Sequence, residues 1–389
     1  MKQIIVAGGG FAGTIAAIRI AKHLQNKVTV TLIDPEDHFF FTPRVIDLLA
    51  LNSLPASRFS LSFADLAQRH GFTFLQGEVH RVDRAKQLVA IKLSNKKNSS
   101  LTYHSLVLAQ GAQTTTFGLP GADAYALPLK TEADVTRIHE HINACLEQAM
   151  RITKKPERCS WLSFTTVGGG PSGVEGAIAI AAHVRNQLTA HAPHLLEEVS
   201  FTLIQGGPQI LPGFPLSLIE GVGHELANQG INTLLGDQVA AIYEDRVETT
   251  SGNVLATHTV LWAAGIIACP IPTDPILAEE RGYLTVDRYL KAAPHIFAAG
   301  DIVNYKEHNM VIPKNAQTAM RMGRILADNV IQEFKHKKLR PFTYFSKGNI
   351  IALGETGFMD VRLFTFKTRF ASFLRNLFYT LRQREIEKG

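Results

Sequence analysis

The chain has 389 residues, 46% of them apolar and 19% charged. This excludes disordered, collagen-like and coiled-coil chains and leaves room for two or three domains. Lys and Arg exceed Asp and Glu by 40 to 34, but seven basic and two acidic residues lie between Arg362 and Gly389. The excess is therefore a property of the C-terminal tail, and no nucleic-acid partner is expected. Cys145, Cys159 and Cys269 form neither a redox pair nor a zinc spacing and fit a reducing compartment. The chain opens directly on an apolar run and holds no stretch of 18 apolar residues, so neither a signal peptide nor a membrane span is expected.

In chain order, Ile4-Ile5-Val6-Ala7 reads as a buried parallel strand. It runs into Gly8-Gly9-Gly10-Phe11-Ala12-Gly13 and a helical pattern through Leu24. A second strand, Val28 to Ile33, ends in Asp34. In such a turn Gly8 permits the tight bend, Gly10 lets a pyrophosphate approach the backbone, and Gly13 lets helix pack on strand. Asp34, 21 residues after Gly13, stands where a ribose-binding acid belongs. The helix N-terminus faces the phosphate charge.

The same pattern returns at Phe164 to Val167, followed by Gly168-Gly169-Gly170-Pro171-Ser172-Gly173, a helix, and a strand from Val199 to Ile204 that ends in Gln205. The chain thus predicts an α/β fold with two Rossmann-like dinucleotide sites, of the two-dinucleotide glutathione-reductase-like kind. A neutral Gln205 does not repel a 2′-phosphate, so the second site is expected to take NADH and tolerate NADPH. Glu175 admits two readings, a Ser172–Glu175 capping box or a carboxylate beside the nicotinamide and flavin rings.

Closing strands are expected at Leu106-Val107-Leu108-Ala109-Gln110-Gly111, at Val260-Leu261-Trp262-Ala263-Ala264-Gly265 and at Ile296-Phe297-Ala298-Ala299-Gly300-Asp301. Asp301 is placed to bond hydroxyls of a flavin's ribityl chain. A helix from about Pro313 to Phe334, with Asn315, Ala316 and Gln317 in its first turn, then aims its positive end at the flavin's pyrimidine edge. Strands are expected at Phe342 to Phe345 and Ile350 to Leu353. In the tail, Phe370, Phe373, Leu374, Leu377, Phe378 and Leu381 share one helical face, with Arg369, Arg375 and Arg382 near its edges. This describes a helix lying in the plane of an anionic membrane surface. The alternative is a terminal helix docked on the protein's own core or on a second subunit.

Taken together, the two glycine motifs resemble those of the type II NADH dehydrogenases. So do His38-Phe39-Phe40-Phe41-Thr42-Pro43, Gly170-Pro171-Ser172-Gly173-Val174-Glu175, Trp262-Ala263-Ala264-Gly265, Ile296-Phe297-Ala298-Ala299-Gly300-Asp301, Asn315-Ala316-Gln317-Thr318-Ala319 and Tyr344-Phe345-Ser346-Lys347-Gly348. The resemblance covers roughly residues 1 to 357. It implies a non-covalent FAD, a nicotinamide donor, a quinone acceptor and a peripheral place on the cytoplasmic face of a membrane. Its catalytic set here is Glu175, Gln317 and Lys347. Its cofactor-binding set is Gly8, Gly10, Phe11, Ala12, Gly13, Asp34, Pro43, Val79, Ala109, Gly111, Gly168, Gly170, Pro171, Ser172, Gly173, Gln205, Ala264, Gly265, Gly300, Asp301 and Ala316, with no metal. The implied organisation is an FAD unit of residues 1–115 and 267–338, a nucleotide unit of 116–266 and a C-terminal region of 339–389. A homodimer is among the oligomeric states left open.

Three departures stand out. Position 205 usually carries an acid, positions 321 and 322 often carry glutamines where this chain has Arg321 and Met322, and the C-terminal region is shorter than usual. Arg44-Val45-Ile46-Asp47 lacks the cysteine pair of thiol–disulfide reductases, and no cysteine follows Cys269 to serve a sulfide:quinone reductase. The remaining alternatives are a soluble reductase of a small iron–sulfur protein and a redox-sensing flavoprotein like the apoptosis-inducing-factor group.

Overall fold

The structure is a computed structural model of the chain. It describes every residue except 52–53, 308–309, 347, 355 and 362–363, together with the side chains of 361, 364 and 365. The main elements begin with β1 (Lys2–Ala7), α1 (Phe11–Leu24), β2 (Val28–Asp34), α2 (Val45–Ala50), β3 (Thr73–Asp83), β4 (Leu88–Leu93), β5 (Asn98–Thr102) and β6 (Ser105–Leu108). They continue with β7 (Ala126–Pro128), α3 (Glu132–Arg151), β8 (Ser163–Val167), α4 (Pro171–His191), β9 (Ser200–Gln205), α5 (Leu216–Asn228), β10 (Ile231–Leu235) and β11 (Thr259–Trp262). The last are β12 (Lys291–Ala293), β13 (Ile296–Ala298), α6 (Ala316–Phe334), β14 (Asn349–Leu353), β15 (Thr356–Val361), β16 (Phe364–Thr368) and α7 (Ala371–Lys388).

Two sheets carry the molecule. The first has the order β12-β13-β6-β1-β2-β3-β4-β5, with a short strand at Thr273–Asp274 also pairing β3. Its centre, β13 to β3, is parallel, and both flanks turn antiparallel. The second sheet, β7-β11-β8-β9-β10, is parallel throughout. Parallel strands covered on both faces need apolar side chains on both faces, and Ile4, Ile5, Val6, Leu106, Val107 and Leu108 are all fully buried. In each sheet the strand order reverses beside the first strand, and that crevice is where α/β folds bind ligands.

The two glycine turns are built alike. Gly8 (φ +102°) and Gly168 (φ +112°) lie in the left-handed half of backbone space. Their N–H groups donate to Ile33 O at 2.8 Å and Ile204 O at 2.9 Å. A Cβ on Gly13 would stand 1.8 Å from Gly8 O, and one on Gly173 1.7 Å from Gly168 O, so each helix sits on its turn at a distance only hydrogen allows.

The structure corrects the sequence at several elements. Phe342 to Phe345 forms no strand. Phe342 is buried and its N–H goes to Arg288 O, while the Tyr344 N–H goes to the Glu307 carboxylate, so the segment is tied by single bonds to different neighbours and has no ladder. Residues 356–361 and 364–368, expected as the start of a basic tail, extend β14 into a three-stranded antiparallel meander. α6 starts at Ala316, not near Pro313, because Asn315 is its N-cap and accepts the Thr318 N–H at 2.9 Å.

Gly13→Ala forces a carbon into a backbone oxygen and is expected to cost about 1–3 kcal/mol, read as a lower denaturation midpoint. Nothing lies within 4 Å of a Cβ on Gly10, so Gly10→Ala is expected to stay within about 0.5 kcal/mol of wild type. Equal loss in both variants would show that close approach is not what selects glycine at position 13.

Candidate functional site

At the first turn the Gly9 N–H donates to Asp34 Oδ2 at 2.5 Å, and the Glu36 N–H to Asp34 Oδ1 at 2.9 Å. Burial raises the pKa of this carboxyl, against the pull of those two N–H groups. At the second turn the Gly169 N–H donates to Gln205 Oε1 at 2.8 Å. Gln205 thus makes the contact that Asp34 makes, with an amide in place of a carboxylate. A Cβ on Gly10 or Gly170 would meet nothing within 4 Å, so open space lies before both helix starts.

The other expected residues gather around these turns. Phe11 packs edge-on against Phe39 and Phe41, each at 5.1 Å between ring centres. Ala12 is buried, and the nearest atom to a Cβ on Gly300 would be the Ala12 Cβ at 3.4 Å. Ala109 is buried and its N–H bonds Ala7 O, and Gly111 turns the chain with φ +74°. Pro43 lies in a 3-10 turn, Thr42–Arg44, and Val79 is buried in β3. Pro171 and Ser172 are exposed in the first turn of α4. Ala264 and Gly265 follow β11, whose Trp262 ties its indole N–H to Thr115 O at 2.8 Å. Lys347 lies outside the described residues.

Asp301 is buried enough that desolvation raises its pKa, with Lys130 and Lys314 opposing the rise. Lys314 donates to Asp301 O at 3.1 Å and Val303 O at 2.7 Å and stands 4.0 Å over the Tyr283 ring. Lys130 donates to Ala112 O. Sequence reasoning missed both lysines, since an isolated Lys in a loop carries no motif. It also passed over the Gln110 amide, whose nitrogen and oxygen are both buried without a hydrogen-bond partner.

Glu175 does not form the expected capping box. The N-cap of α4 is Gly170, with no side-chain cap, and Glu175 lies inside the helix with its side chain 12% exposed. Its Oε1 accepts the Ala352 N–H at 2.9 Å and lies 3.2 Å from Arg375 Nη1. Arg375 also bridges to Asp47, and Asp47 to Arg44 at 2.8 Å. Burial raises the Glu175 pKa, and Arg375 and the Ala352 N–H work against it. Tyr379 beside them is likewise pushed up by burial. This overturns the expectation that Arg375 reaches lipid head groups. Two buried carboxylates draw it inward, where it is 7% exposed.

α7 is docked on the protein through Ala371, Arg375, Tyr379 and Ile386, and through ion pairs of Glu385 with Arg324 and Glu387 with Arg69. On its opposite side Phe373, Leu377, Phe378 and Leu381, with Phe370 just before the helix, are 44–68% exposed. Arg382, expected at the lipid edge, pairs with Glu385 at 2.6 Å. Beside α7 lies a cavity of about 430 Å³ with Arg44, Arg58, Phe59, Asn376, Thr380 and Arg384 in its wall. A second, of about 210 Å³, is lined by Gln317, Thr318, Met320, Arg321, Arg324, Tyr344, Phe345 and Arg382. There the Arg321 guanidinium stacks 3.9 Å above the Phe345 ring. Among the described residues no helix is long and apolar enough to cross a membrane, and no cluster of His, Cys, Asp and Glu is placed to hold a metal ion.

Comparison with known proteins agrees with this geometry. A probable mitochondrial NADH-ubiquinone oxidoreductase of Schizosaccharomyces pombe is 30% identical over 86% of the chain, which spans 63% of that protein's length. The type II NADH:quinone oxidoreductase of Haemophilus influenzae is 25% identical over 91% of the chain and 85% of its own. A solved structure of NDH2 from Plasmodium falciparum in complex with NADH shares the fold, with a TM-score of 0.88 over 97% of this chain and 94% of that one, at 21% identity. The model of the pyridine nucleotide-disulphide oxidoreductases matches residues 2–323. With the twin turns and the two sheets that carry them, this match places the chain in the pyridine nucleotide-disulphide oxidoreductase family.

Proposed function

We propose that the chain is an FAD-dependent NAD(P)H:quinone oxidoreductase of the type II, non-pumping kind. The observation that carries the reading is the pair of matching strand–turn–helix sites in one chain, one closed by Asp34 and the other by Gln205. The names of the S. pombe and H. influenzae relatives support the same reading.

The residues of the first site fit FAD. The open space before α1, the free N–H groups of its first turn and the orphaned Gln110 amide offer room and hydrogen bonds to a large polar ligand. Asp34 would accept the adenosine ribose hydroxyls and Asp301 those of the ribityl chain. The start of α6, at Ala316 and Gln317, would place its positive end toward the flavin's pyrimidine edge. When bound, the flavin supplies hydride acceptance from reduced nicotinamide and electron delivery to a quinone. The protein binds, orients and excludes water. Residues 1–115 and 267–338 form the FAD unit in this reading, and 116–266 the NAD(P)H unit.

Glu175, two residues past Gly173, would serve as the carboxylate toward the nicotinamide and flavin. The 210 Å³ cavity beside Gln317 is the entry for the quinone head group. Arg321 brings to that wall a cation stacked on Phe345. The exposed apolar side of α7 rests on the cytoplasmic face of a membrane. A reductase of a small iron–sulfur protein would present a polar surface there, so the five exposed apolar side chains favour the quinone reading.

Stopped-flow mixing of the purified yellow protein with NADH, and with NADPH, is expected to bleach the flavin absorbance, and a soluble quinone analogue to restore it. Absence of bleaching with both nucleotides overturns the reading. Gln205→Glu is expected to raise the NADH-over-NADPH ratio of kcat/KM by about tenfold, or ~1.4 kcal/mol, because a carboxylate repels the 2′-phosphate. An unchanged ratio would place Gln205 away from the ribose. The combined variant Phe373→Ser, Phe378→Ser, Leu381→Ser leaves the docked side of α7 intact. It is expected to lose sedimentation with anionic vesicles that the wild-type protein shows at low salt. Equal sedimentation of the two would exclude α7 as the anchor.

A further inference from the structure

Four charges sit together beneath α7. Arg44 comes from the turn that leads into α2, Asp47 from α2, Glu175 from α4 and Arg375 from α7 itself. Their side chains are 7–12% exposed. Arg375 spends its guanidinium fork on two elements at once, Nη2 on Asp47 and Nη1 on Glu175. A planar fork can bridge two carboxylates held on separate helices, and an ammonium cannot hold both in the same way. Both contacts to Glu175 converge on Oε1, from Arg375 and from the Ala352 N–H. The carboxylate is thus oriented by the C-terminal region and not by its own helix.

We propose that Arg375 is a positioning residue for hydride transfer, holding the Glu175 carboxylate in place from the helix whose other side faces outward. The inference rests on the reading of Glu175 as the carboxylate at the nicotinamide and flavin. Arg375 acts through Glu175, so the C-terminal helix contributes to the reaction as well as to attachment. The groups that face Glu175 from the surrounding elements are Asp47 from α2 and Arg375 and Tyr379 from α7, with Arg44 behind Asp47. Of the two cations, Arg375 is the one in contact with it.

The sign of the pH effect follows. Glu175 serves as an anion, so the rate falls as pH drops through its titration. Arg375→Met removes the adjacent cation; the Ala352 N–H still favours the anion, while burial and Asp47 favour the protonated form. The low-pH limb of NADH-driven flavin reduction is therefore expected to move up by about 1–3 pH units. Arg375→Lys, which keeps a charge, should move it less.

The experiment compares wild type, Arg375→Met, Arg375→Lys, Glu175→Gln and the Glu175→Gln, Arg375→Met double variant as FAD-loaded full-length proteins. Two quantities are read, the pH profile of flavin reduction and the thermal midpoint without nucleotide. Glu175→Gln is expected to lose the limb, and the double variant to match it. The double variant is also expected to melt higher than Arg375→Met alone, because it no longer strands a buried carboxylate. Arg375→Met with wild-type FAD content and an unmoved limb overturns the proposal. So does a double variant whose midpoint falls below that of Arg375→Met. Should Arg375→Met fail to fold, a wild-type limb in Arg375→Lys together with no stabilisation in the double variant overturns it. If Glu175→Gln leaves both rate and limb unchanged, the reading of Glu175 fails instead, while a thermal coupling between the two residues would survive.

Discussion

Each glycine turn depends on one close contact, a helix brought so near the end of its strand that only hydrogen separates residue 13 from Gly8 O, and residue 173 from Gly168 O. That approach carries the first free N–H groups of α1 and α4 to the sheet edge. It leaves open space before Gly10 and Gly170 and fixes how far the next strand must run before its last side chain can meet the turn. Asp34 and Gln205 are the result. Each accepts an N–H from the middle glycine of its turn, Asp34 with a short carboxylate and Gln205 with a longer, neutral amide.

The second constraint is electrostatic. Glu175 and Asp47 lie where water is largely excluded, and a buried carboxylate without a partner is costly. Arg44 and Arg375 answer that cost. Because Arg375 comes from the last helix, the energetics of the centre reach the far end of the chain. This explains why α7 is docked along one side, with Ile386 and Tyr379 packed inward, while Phe373 and Leu381 on its other side remain uncovered. Docking and exposure are two sides of one helix, and the choice between lipid and protein contact suggested by its sequence is not exclusive.

Much of the fold was legible because the relevant signals are local. A run such as Ile4-Ile5-Val6-Ala7 followed by a spaced set of glycines constrains backbone geometry within about ten residues, and the structure places strands, turns and helices there as expected. Elements with weaker local signals were misread. Phe342 to Phe345 has the composition of a strand, but its backbone is spent on single bonds to Arg288 and Glu307. The meander at β15 and β16 has neighbours that its composition did not announce.

The sequence alone determined the two dinucleotide turns, the acid at one strand end and the amide at the other, and the apolar stripe near the C-terminus, since each is a matter of residue type at short spacing. Which partner each buried charge would find was decided by tertiary packing. Glu175 and Arg375 are 200 residues apart, and Arg375 and Asp47 are 328 apart. No periodicity links them. Lys130 and Lys314 were hidden for the same reason, being brought to Asp301 from separate loops. A charge in a sequence looks solvated until the chain closes around it, and only the closed chain sets the desolvation that makes its partner matter.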